Sequence, residues 1–362
     1  MKYALIGCGR VSPNHLKAAR SNGFDIAAVC DIDASHIDTM FKESGFSEEE
    51  SACVHRYSDW NKMLDAERPE LVSIALPSGL HADAAFDVIS RAINCIIEKP
   101  MAMSLKDADR IIAVTEKTGA TVAVCHQNRF NTAVQEMRAA LEAGRFGRLS
   151  NAAVTVRWHR DEQYYSQDGW RGKWASDGGT LMNQCIHGID LLRWMCGDEA
   201  EIVYGVTNNA YHPYMEAEDV GAAVVKFKNG VVATLEGTVN VNRTNMEEHL
   251  TLIGEHGSVK LGGMCANTIE HWSFDDDISD SKDGFHEKVA NVYGNGHTSL
   301  FGDVAEAIRK HRPPYVDVYA GRRALETVLA VYKSSYEGVP VRLPLDAVAS
   351  VDFSDTVWGN EK

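Results

Sequence analysis

Short β-branched runs alternate with helical patterns along the first third of the chain. The strand-like runs are YALIGCG at 3–9, DIAAVCDID at 25–33, ELVSIALP at 70–77, NCIIEKP at 94–100 and TVAVCHQ at 121–127. Strands that alternate with helices and are apolar on both faces are typical of a parallel sheet built from βαβ units. Because such crossovers are right-handed, residues 1–124 are predicted to form a doubly wound α/β domain of the Rossmann type.

The pattern changes after about residue 150, where strands follow one another with little helix between them. An Asn229-Gly230 pair separates two of these strands and is a strong signal for a β-hairpin. Residues 125–362 are therefore predicted to form a second, α+β domain with a large, mostly antiparallel sheet. Its helices are expected at roughly 179–195, 298–311 and 320–336.

Composition narrows the class of protein. A length of 362 residues suits two domains, and a net charge of −15 argues against binding to nucleic acid or to an anionic membrane. The chain lacks a signal-peptide pattern and any apolar run near the ~20 residues that span a bilayer, so a cytoplasmic protein is expected.

The eight cysteines form no CxxC pair, which favours buried, reduced thiols over a metal site. The acidic segment 273–284 is expected to be a solvated loop, although it could cover a site.

The first strand runs into a glycine-containing loop that opens the first helix. Gly7 suits a tight turn and Gly9 lets the backbone approach a pyrophosphate, while Ser12 replaces the usual third small residue. Asp31 ends the second strand about 20 residues later, where a carboxylate binds an adenosine ribose. The next residue, Ile32, carries no positive charge for a 2′-phosphate, so NAD is favoured over NADP. A domain for FAD or another nucleotide, or one without a cofactor, remains the alternative.

Two stretches carry candidate catalytic residues. Lys99 follows a strand of the parallel sheet, at the end where such sheets bind ligands. In the predicted helix at 179–195, Asn183, His187 and Asp190 are spaced i, i+4, i+7 and share one face, opposite an apolar face. Hydride transfer from a secondary alcohol needs a base near neutral pH and a group that stabilises alkoxide charge. Either His187 or Lys99 could be the base.

With these residues in place, the chain resembles the Gfo/Idh/MocA family of oxidoreductases. The resemblance spans nearly the whole chain and rests on GCGRVSPNHL, ALPSGLHADAA, EKPMAMSLKDAD, HQNRF and GGTLMNQCIHGIDLLRWMCG. It implies NAD as cofactor, an N-terminal Rossmann domain, a substrate-binding sheet domain and a homo-oligomer, a dimer or a tetramer. The implied cofactor contacts are Gly7, Gly9, Arg10, Val11, Asp31, Pro77, Ser78, His81, Glu98, Lys99 and Gln127.

The resemblance makes His187 the proton-handling histidine, and it also exposes a departure. Many members carry an aspartate four residues before this histidine, where this chain has Asn183. Asparagine can orient an imidazole or a substrate hydroxyl but cannot relay a proton. This departure places more weight on Lys99 and His187.

Within the family, NQCIHGIDLL together with the upstream YY and GWRGKW resembles the branch that acts on nucleotide sugars. That branch oxidises the 3-hydroxyl of UDP-N-acetylglucosamine or of its uronic acid. The implied substrate contacts are Tyr164, Tyr165, Trp170, Arg171, Trp174, Asn183, His187 and Asp190. Alternatively, the tryptophans of this loop pack between the domains. Arg157, His159 and Arg160 form either a basic substrate lip or a polar strand end.

Three other functions remain open at this stage. A free-sugar or inositol-type dehydrogenase has the same fold and the same catalytic groups. An NAD-binding regulator without turnover is less favoured, because Lys99 and His187 are both present. A glycosidase that oxidises C3 transiently is the third.

Overall fold

The computed structural model of the chain describes residues 1–197, 199–275, 282–289 and 291–358. Residues 276–281, within the acidic segment for which a loop is expected, lie outside these ranges. The chain divides into two compact units. The first contains Met1–Ala102, Lys106–His126 and His297–Gly321, and the second contains Met103–Leu105, Gln127–Gly296 and Arg322–Lys362.

The first part of the chain forms alternating strands and helices. These are β1 (Lys2–Ile6), α1 (Ser12–Ser21), β2 (Asp25–Cys30), α2 (Ala34–Glu43), α3 (Glu48–Ala52), β3 (His55–Tyr57), α4 (Trp60–Glu67), β4 (Leu71–Ile74), α5 (His81–Ser90), β5 (Asn94–Ile97), α6 (Leu105–Thr118) and β6 (Val122–Val124). The strands form one sheet in the order β3-β2-β1-β4-β5-β6, and every neighbouring pair is parallel. This is the strand order of a doubly wound Rossmann sheet, as the sequence predicted.

The central strands of this sheet are buried on both faces. In β1, Ala4, Leu5 and Ile6 have no exposed surface, and the same holds for Val72 and Ile74 in β4. Their side chains alternate between the two faces, so both faces must be covered by helices. This double burial explains why the strands read as continuous apolar runs.

The segment 297–321 packs with the first unit, whereas the sequence analysis assigned it to the second domain. It contains most of α11 (Gly296–Lys310). The ring of Phe301 lies 6.0 Å from that of Tyr3 and 6.2 Å from that of Phe24, measured between centroids. The amphipathic pattern of the helix predicts that one face is buried but not which distant residues bury it.

The second unit is built on an eight-stranded sheet. Its elements are α7 (Thr132–Glu142), β7 (Leu149–Arg157), α8 (Glu162–Ser166), α9 (Thr180–Asn183), α10 (Ile186–Cys196), β8 (Ala200–Asn208), β9 (Val220–Phe227), β10 (Val232–Thr238), β11 (Glu247–Gly254), β12 (Gly257–Gly262) and β13 (Thr268–Phe274), followed late in the chain by α12 (Val318–Glu337) and β14 (Val341–Arg342). The strand order is β13-β12-β11-β7-β10-β9-β8-β14. In the described residues the pairs are antiparallel except β7 with β10, which confirms the mostly antiparallel sheet.

Two local predictions for this unit have different outcomes. The hairpin at Asn229-Gly230 is present: β9 and β10 pair antiparallel across it, and Gly230 adopts a φ of +92°. The single helix predicted at 179–195 is instead two helices, α9 and α10, separated by Gln184 and Cys185. All residues of α10 are buried, so its polar residues do not form an exposed face.

The remaining expectations concern cysteines and membranes. Seven of the eight cysteines are buried, and Cys53 is exposed. Among the described residues, no helix combines the length and the apolar character needed to cross a bilayer.

Candidate active site

The loop between β1 and α1 has the geometry of a dinucleotide-binding turn. Gly7 has a φ of +89°, and a Cβ atom there would lie 2.4 Å from the carbonyl oxygen of Ala75, so only glycine fits. A Cβ atom on Gly9 would meet no described atom within 4 Å. Ser12 is buried and donates from Oγ to the carbonyl of Gly9 at 2.6 Å. The loop therefore combines a fixed turn with open space at Gly9, at the start of a helix, where a phosphate would be held.

Asp31 is held at the end of β2 by backbone N–H groups. Its Oδ2 accepts from Cys8 N at 2.8 Å and its Oδ1 from Asp33 N at 2.9 Å. A carboxylate has about four acceptor positions, so a ribose diol can still bind to it. The neighbouring Ile32 is 90% exposed. Near the loop, Arg10 is exposed and Val11 is partly exposed.

Asp31→Ala is expected to raise the Kd for NADH about tenfold or more, because hydrogen bonds to a charged group contribute roughly 1.5–3 kcal/mol. Fluorescence titration of NADH measures this change. The control is Asp25→Ala, which removes an exposed carboxylate from the first residue of the same strand. An unchanged Kd in Asp31→Ala would refute the ribose contact.

The loop after β4 holds three of the predicted cofactor contacts. Pro77 precedes a 3₁₀ helix at Ser78–Leu80, and Ser78 is buried. The imidazole of His81 lies between two backbone carbonyls, with Nδ1 2.7 Å from Pro100 O and Nε2 2.8 Å from Leu76 O. The ring of His81 is therefore held between two backbone carbonyls, and its contact with the cofactor stays a prediction.

Glu98, another predicted cofactor contact, is buried and contacts other groups of the protein. Its Oε1 lies 2.9 Å from His15 Nε2, and its Oε2 accepts the backbone N–H of Lys99 at 3.1 Å. Burial would raise the pKa of Glu98, but hydrogen bonds from His15 and His297 hold that pKa well below its usual value. Glu98 is thus ionised, and it accepts the hydrogen bond that fixes the backbone of Lys99. Lys99 is itself half-buried just after β5.

Glu98 also belongs to a group that could in principle bind a metal ion. Donor atoms of His15, Glu98, Cys125 and His297 all lie within 4.8 Å of one another, and all four residues are buried. The 2.9 Å between His15 and Glu98 is a hydrogen-bond distance, shorter than the separation of two ligands around a tetrahedral Zn²⁺. The geometry therefore fits a hydrogen-bonded cluster better than a metal centre.

In the second unit, His187 lies in the first turn of α10 and is buried. Its Nε2 is 3.5 Å from Nε2 of Gln127, which also donates to Tyr293 O at 3.4 Å. An amide nitrogen can only donate, so this contact favours an unprotonated Nε2 on His187. The next residue, Gly188, allows close packing, because a Cβ atom there would lie 2.8 Å from Val154 of β7.

Asp190, a predicted substrate contact, forms a buried ion pair. Arg129 donates to both of its oxygens, from Nε at 2.7 Å and from an Nη at 2.6 Å. The guanidinium of Arg129 also lies 4.7 Å from the ring centroid of Trp194. This two-point pair uses the carboxylate of Asp190 to hold α10 to the segment that carries Gln127.

Asn183 is the last residue of α9 and belongs to a network of buried side chains. Its Nδ2 donates to Oδ1 of Asp177, and its Oδ1 accepts from Gln184 Nε2 at 2.8 Å. Gln184 Nε2 also donates to the hydroxyl of Tyr164 at 3.0 Å. The network joins Asn183 to an aromatic residue that the sequence had assigned to substrate binding.

Tyr164 lies between two arginines. Arg171 donates to its hydroxyl at 2.8 Å and to Asp168 at 3.0 Å. The guanidinium carbons of Arg171 and Arg160 lie 4.6 and 5.1 Å from the Tyr164 ring centroid. Trp170 lies against Arg171, whose guanidinium carbon is 4.5 Å from the indole. The structure thus brings Tyr164, Trp170 and Arg171 together, and adds Arg160.

Two other aromatic residues of this segment are packing residues. Trp174 is 2% exposed and packs against Tyr332, with ring centroids 5.1 Å apart. Tyr165 is buried against Tyr164 and His212, at 5.0 and 5.8 Å. The alternative for this loop was packing between the domains, whereas Trp174 and Tyr332 both belong to the second unit.

A buried carboxyl group supports the start of α9. Glu218 Oε1 accepts from Leu181 N at 2.7 Å and from the hydroxyl of Tyr332 at 3.0 Å. Burial raises the pKa of Glu218 to about 8. A Cβ atom on Gly179 would lie 1.4 Å from Glu218 Oε2, so the glycine before α9 is required for this contact.

Sequence reasoning missed Asp177, Gln184 and Arg129 as parts of this site. Asp177 lies shortly before α9 and Gln184 directly after it, and Arg129 lies within the HQNRF motif. Asp190 is a charged residue in an apolar run, which signals that a partner of opposite charge must exist. The partner itself is visible only in the structure, because Arg129 and Asp190 are 61 residues apart.

Comparison with known proteins agrees with this geometry. A model described as "Oxidoreductase family, NAD-binding Rossmann fold" matches residues 1–126, and one described as "Oxidoreductase family, C-terminal alpha/beta domain" matches 138–343. The fold and these matches define an oxidoreductase with NAD as its cofactor. The chain belongs to the Gfo/Idh/MocA family, as its motifs predicted, and is an NAD-dependent sugar or polyol oxidoreductase.

Two solved structures and one curated relative show the same similarity. WlbA dehydrogenase from Bordetella pertussis, in complex with NADH and UDP-GlcNAcA, is 32% identical, with a TM-score of 0.84 over 95% of this chain and 99% of that one. WlbA from Chromobacterium violaceum, with the same two ligands, is also 32% identical, with a TM-score of 0.83 over 96% of each chain. Myo-inositol 2-dehydrogenase from Thermotoga maritima is 21% identical over 95% of this chain and 98% of its own.

Proposed function

We propose that the protein oxidises the 3-hydroxyl of a UDP-N-acetylhexosamine or of its uronic acid, with UDP-GlcNAcA as the best candidate and NAD as the hydride acceptor. The observation that carries this proposal is the 32% identity, over nearly the full chain, to two WlbA dehydrogenases whose structures hold NADH and UDP-GlcNAcA. The side chains of the second unit support it chemically.

His187 is assigned the role of the base that accepts the proton of the reacting hydroxyl. Its Nε2 faces an amide N–H donor from Gln127, which favours the unprotonated form that a base requires. The positive charge of Lys99 is assigned to stabilising the developing alkoxide. Glu98 fixes the backbone of Lys99 at the end of β5. The β1–α1 loop and Asp31 would hold NAD, which supplies the hydride acceptor for C3, and His187 would take the hydroxyl proton.

The two arginines beside Tyr164 are assigned to an anionic group of the substrate. Arg160 makes no ion pair with any carboxylate in the described parts of the chain, and its buried Nε has no hydrogen-bond partner there. Arg171 is already paired with Asp168. A half-buried guanidinium without an acidic partner suits a carboxylate or a diphosphate, both of which UDP-GlcNAcA carries.

Arg160→Met is expected to raise the KM for UDP-GlcNAcA about 10- to 100-fold, because a charge-assisted hydrogen bond is lost. Steady-state kinetics measure this effect. Arg148→Met is the control, since it removes an exposed arginine beside the opposite end of β7. A KM equal to wild type in Arg160→Met would remove Arg160 from the anion site.

A thermal-shift panel in the presence of NADH tests the substrate class. UDP-GlcNAcA and UDP-N-acetylglucosamine are expected to raise Tm, whereas free N-acetylglucosamine and myo-inositol are not, because they lack the anionic group. Inositol is included because curated relatives of this chain include inositol dehydrogenases. A Tm increase with myo-inositol and none with either UDP-sugar would favour the polyol alternative.

A further inference from the structure

Asp177 places a buried carboxylate beside Asn183. It is 2% exposed and lies in the segment between Arg171 and α9. Its Oδ2 accepts from Gly172 N at 2.7 Å, and its Oδ1 accepts from the side-chain amide of Asn183. The backbone of Asp177 is fixed as well, because its N–H donates to Lys173 O at 3.0 Å.

These contacts determine which way the amide of Asn183 points. An ionised carboxylate can only accept, so the NH₂ end of Asn183 must face Asp177. The oxygen end faces Gln184, whose Nε2 donates to it at 2.8 Å. Rotating the amide by 180° would set oxygen against oxygen at Asp177 and nitrogen against nitrogen at Gln184. Two independent contacts therefore fix Asn183 Oδ1 as an acceptor.

The hydrogen-bond network continues from Gln184 through Tyr164 to Arg171. Gln184 Nε2 donates to Tyr164, and Tyr164 accepts from Arg171. The amide of Asn183 is thus one member of a continuous chain of donors and acceptors that begins at Asp177. A change at Asp177 would propagate along this chain by reversing the amide of Asn183.

We propose that Asp177 is a positioning residue that acts through Asn183, locking its side-chain oxygen in place as the acceptor for a hydroxyl hydrogen of the sugar. The proposal rests on the function proposed above for its choice of ligand. It also accounts for asparagine at position 183: the carboxylate of this pair is supplied from position 177, six residues earlier in the chain.

The test is a set of three variants assayed with UDP-GlcNAcA. In Asp177→Asn, the new amide can still accept from Gly172 N, but its NH₂ then faces Asn183 and forces that amide to turn over. We expect kcat/KM to fall about 30-fold or more, while the Kd for NADH stays within about twofold. Asn183→Asp sets two carboxylates against each other and is expected to lose at least as much.

The exchange variant Asp177→Asn/Asn183→Asp separates positioning from a merely structural role. The new amide at position 177 then donates to the new carboxylate at position 183, which also accepts from Gln184. The side-chain contacts described above for these two positions are therefore kept, and an acceptor is again held at position 183. We expect kcat/KM to recover to within about fivefold of wild type. A double variant no more active than Asp177→Asn, or an Asp177→Asn variant within about threefold of wild type, would overturn the proposal.

A second measurement does not depend on the substrate. The side-chain amide protons of Asn183, assigned by their loss in Asn183→Asp, are expected to shift upfield in Asp177→Asn because their carboxylate acceptor is gone. Unchanged amide resonances would overturn the orientation lock. If the wild-type protein fails to oxidise UDP-GlcNAcA while Asp177→Asn shows the upfield shift, the proposed function is refuted and the orientation of the Asn183 amide is supported.

Discussion

Lys99→Met is expected to lower kcat on UDP-GlcNAcA by about 10²- to 10⁴-fold, because methionine keeps the length of the side chain and removes its charge and its proton. Lys99 is half-buried directly after β5, and its N–H is held by Glu98. Rapid-mixing measurement of the first turnover reports this loss without a contribution from product release. The Kd for NADH is expected to change by less than about threefold.

Lys106→Met is the matched control for Lys99→Met. Lys106 is exposed near the start of α6, so the variant removes the same charge from the surface of the first unit, seven residues after Lys99. Its kcat is expected to equal that of wild type. A Lys99→Met enzyme with more than about a tenth of wild-type kcat would exclude Lys99 from the chemical step.

His187→Asn is expected to produce a loss of similar size, about 10²- to 10⁴-fold in kcat/KM, because asparagine can hold a hydrogen bond but cannot accept a proton. The acidic limb of the pH profile of kcat/KM is expected to disappear in this variant, since that limb reports protonation of the base. If Lys99 were the base instead, the limb would persist in His187→Asn. The profile therefore assigns the base, which the sequence left open between His187 and Lys99.

His256→Asn serves as the control for His187→Asn. His256 is an exposed histidine of the same unit, with a surface contact to Asp275. Its replacement is expected to leave kcat/KM and the pH profile unchanged. An equal loss in both histidine variants would indicate damage to the fold rather than to the chemistry.

The fold was predictable because its determinants are local. Apolar runs buried on both faces, Gly7 in the first loop and the Asn229-Gly230 turn each follow from a few adjacent residues. The division of 179–195 into two helices was not predictable in this way. Gln184 lies at the break, where its side chain bonds to Asn183 and Tyr164, and Tyr164 is 20 residues earlier.

The contacts of individual charged residues in the site were harder to predict, because the sequence does not show which distant group pairs with each charge. Helical spacing placed Asp190 on one face with His187, but its oxygens are taken up by Arg129, 61 residues earlier. Likewise, Glu98 follows a strand of the sheet as expected, yet His15 from α1 meets its carboxylate. Spacing indicates where a charged side chain points along its own element, and only tertiary contacts decide whether a protein group or a ligand neutralises it.

In the proposed reaction, hydride leaves C3 of a UDP-N-acetylhexosamine or of its uronic acid. A single turnover of the wild-type protein with NAD and UDP-GlcNAcA deuterated at C3, followed by mass spectrometry of the cofactor, detects this transfer. We expect one deuterium in the NADH that forms, together with a slower first turnover than with the protiated sugar. NADH without deuterium, or no NADH at all from stoichiometric enzyme, would contradict it.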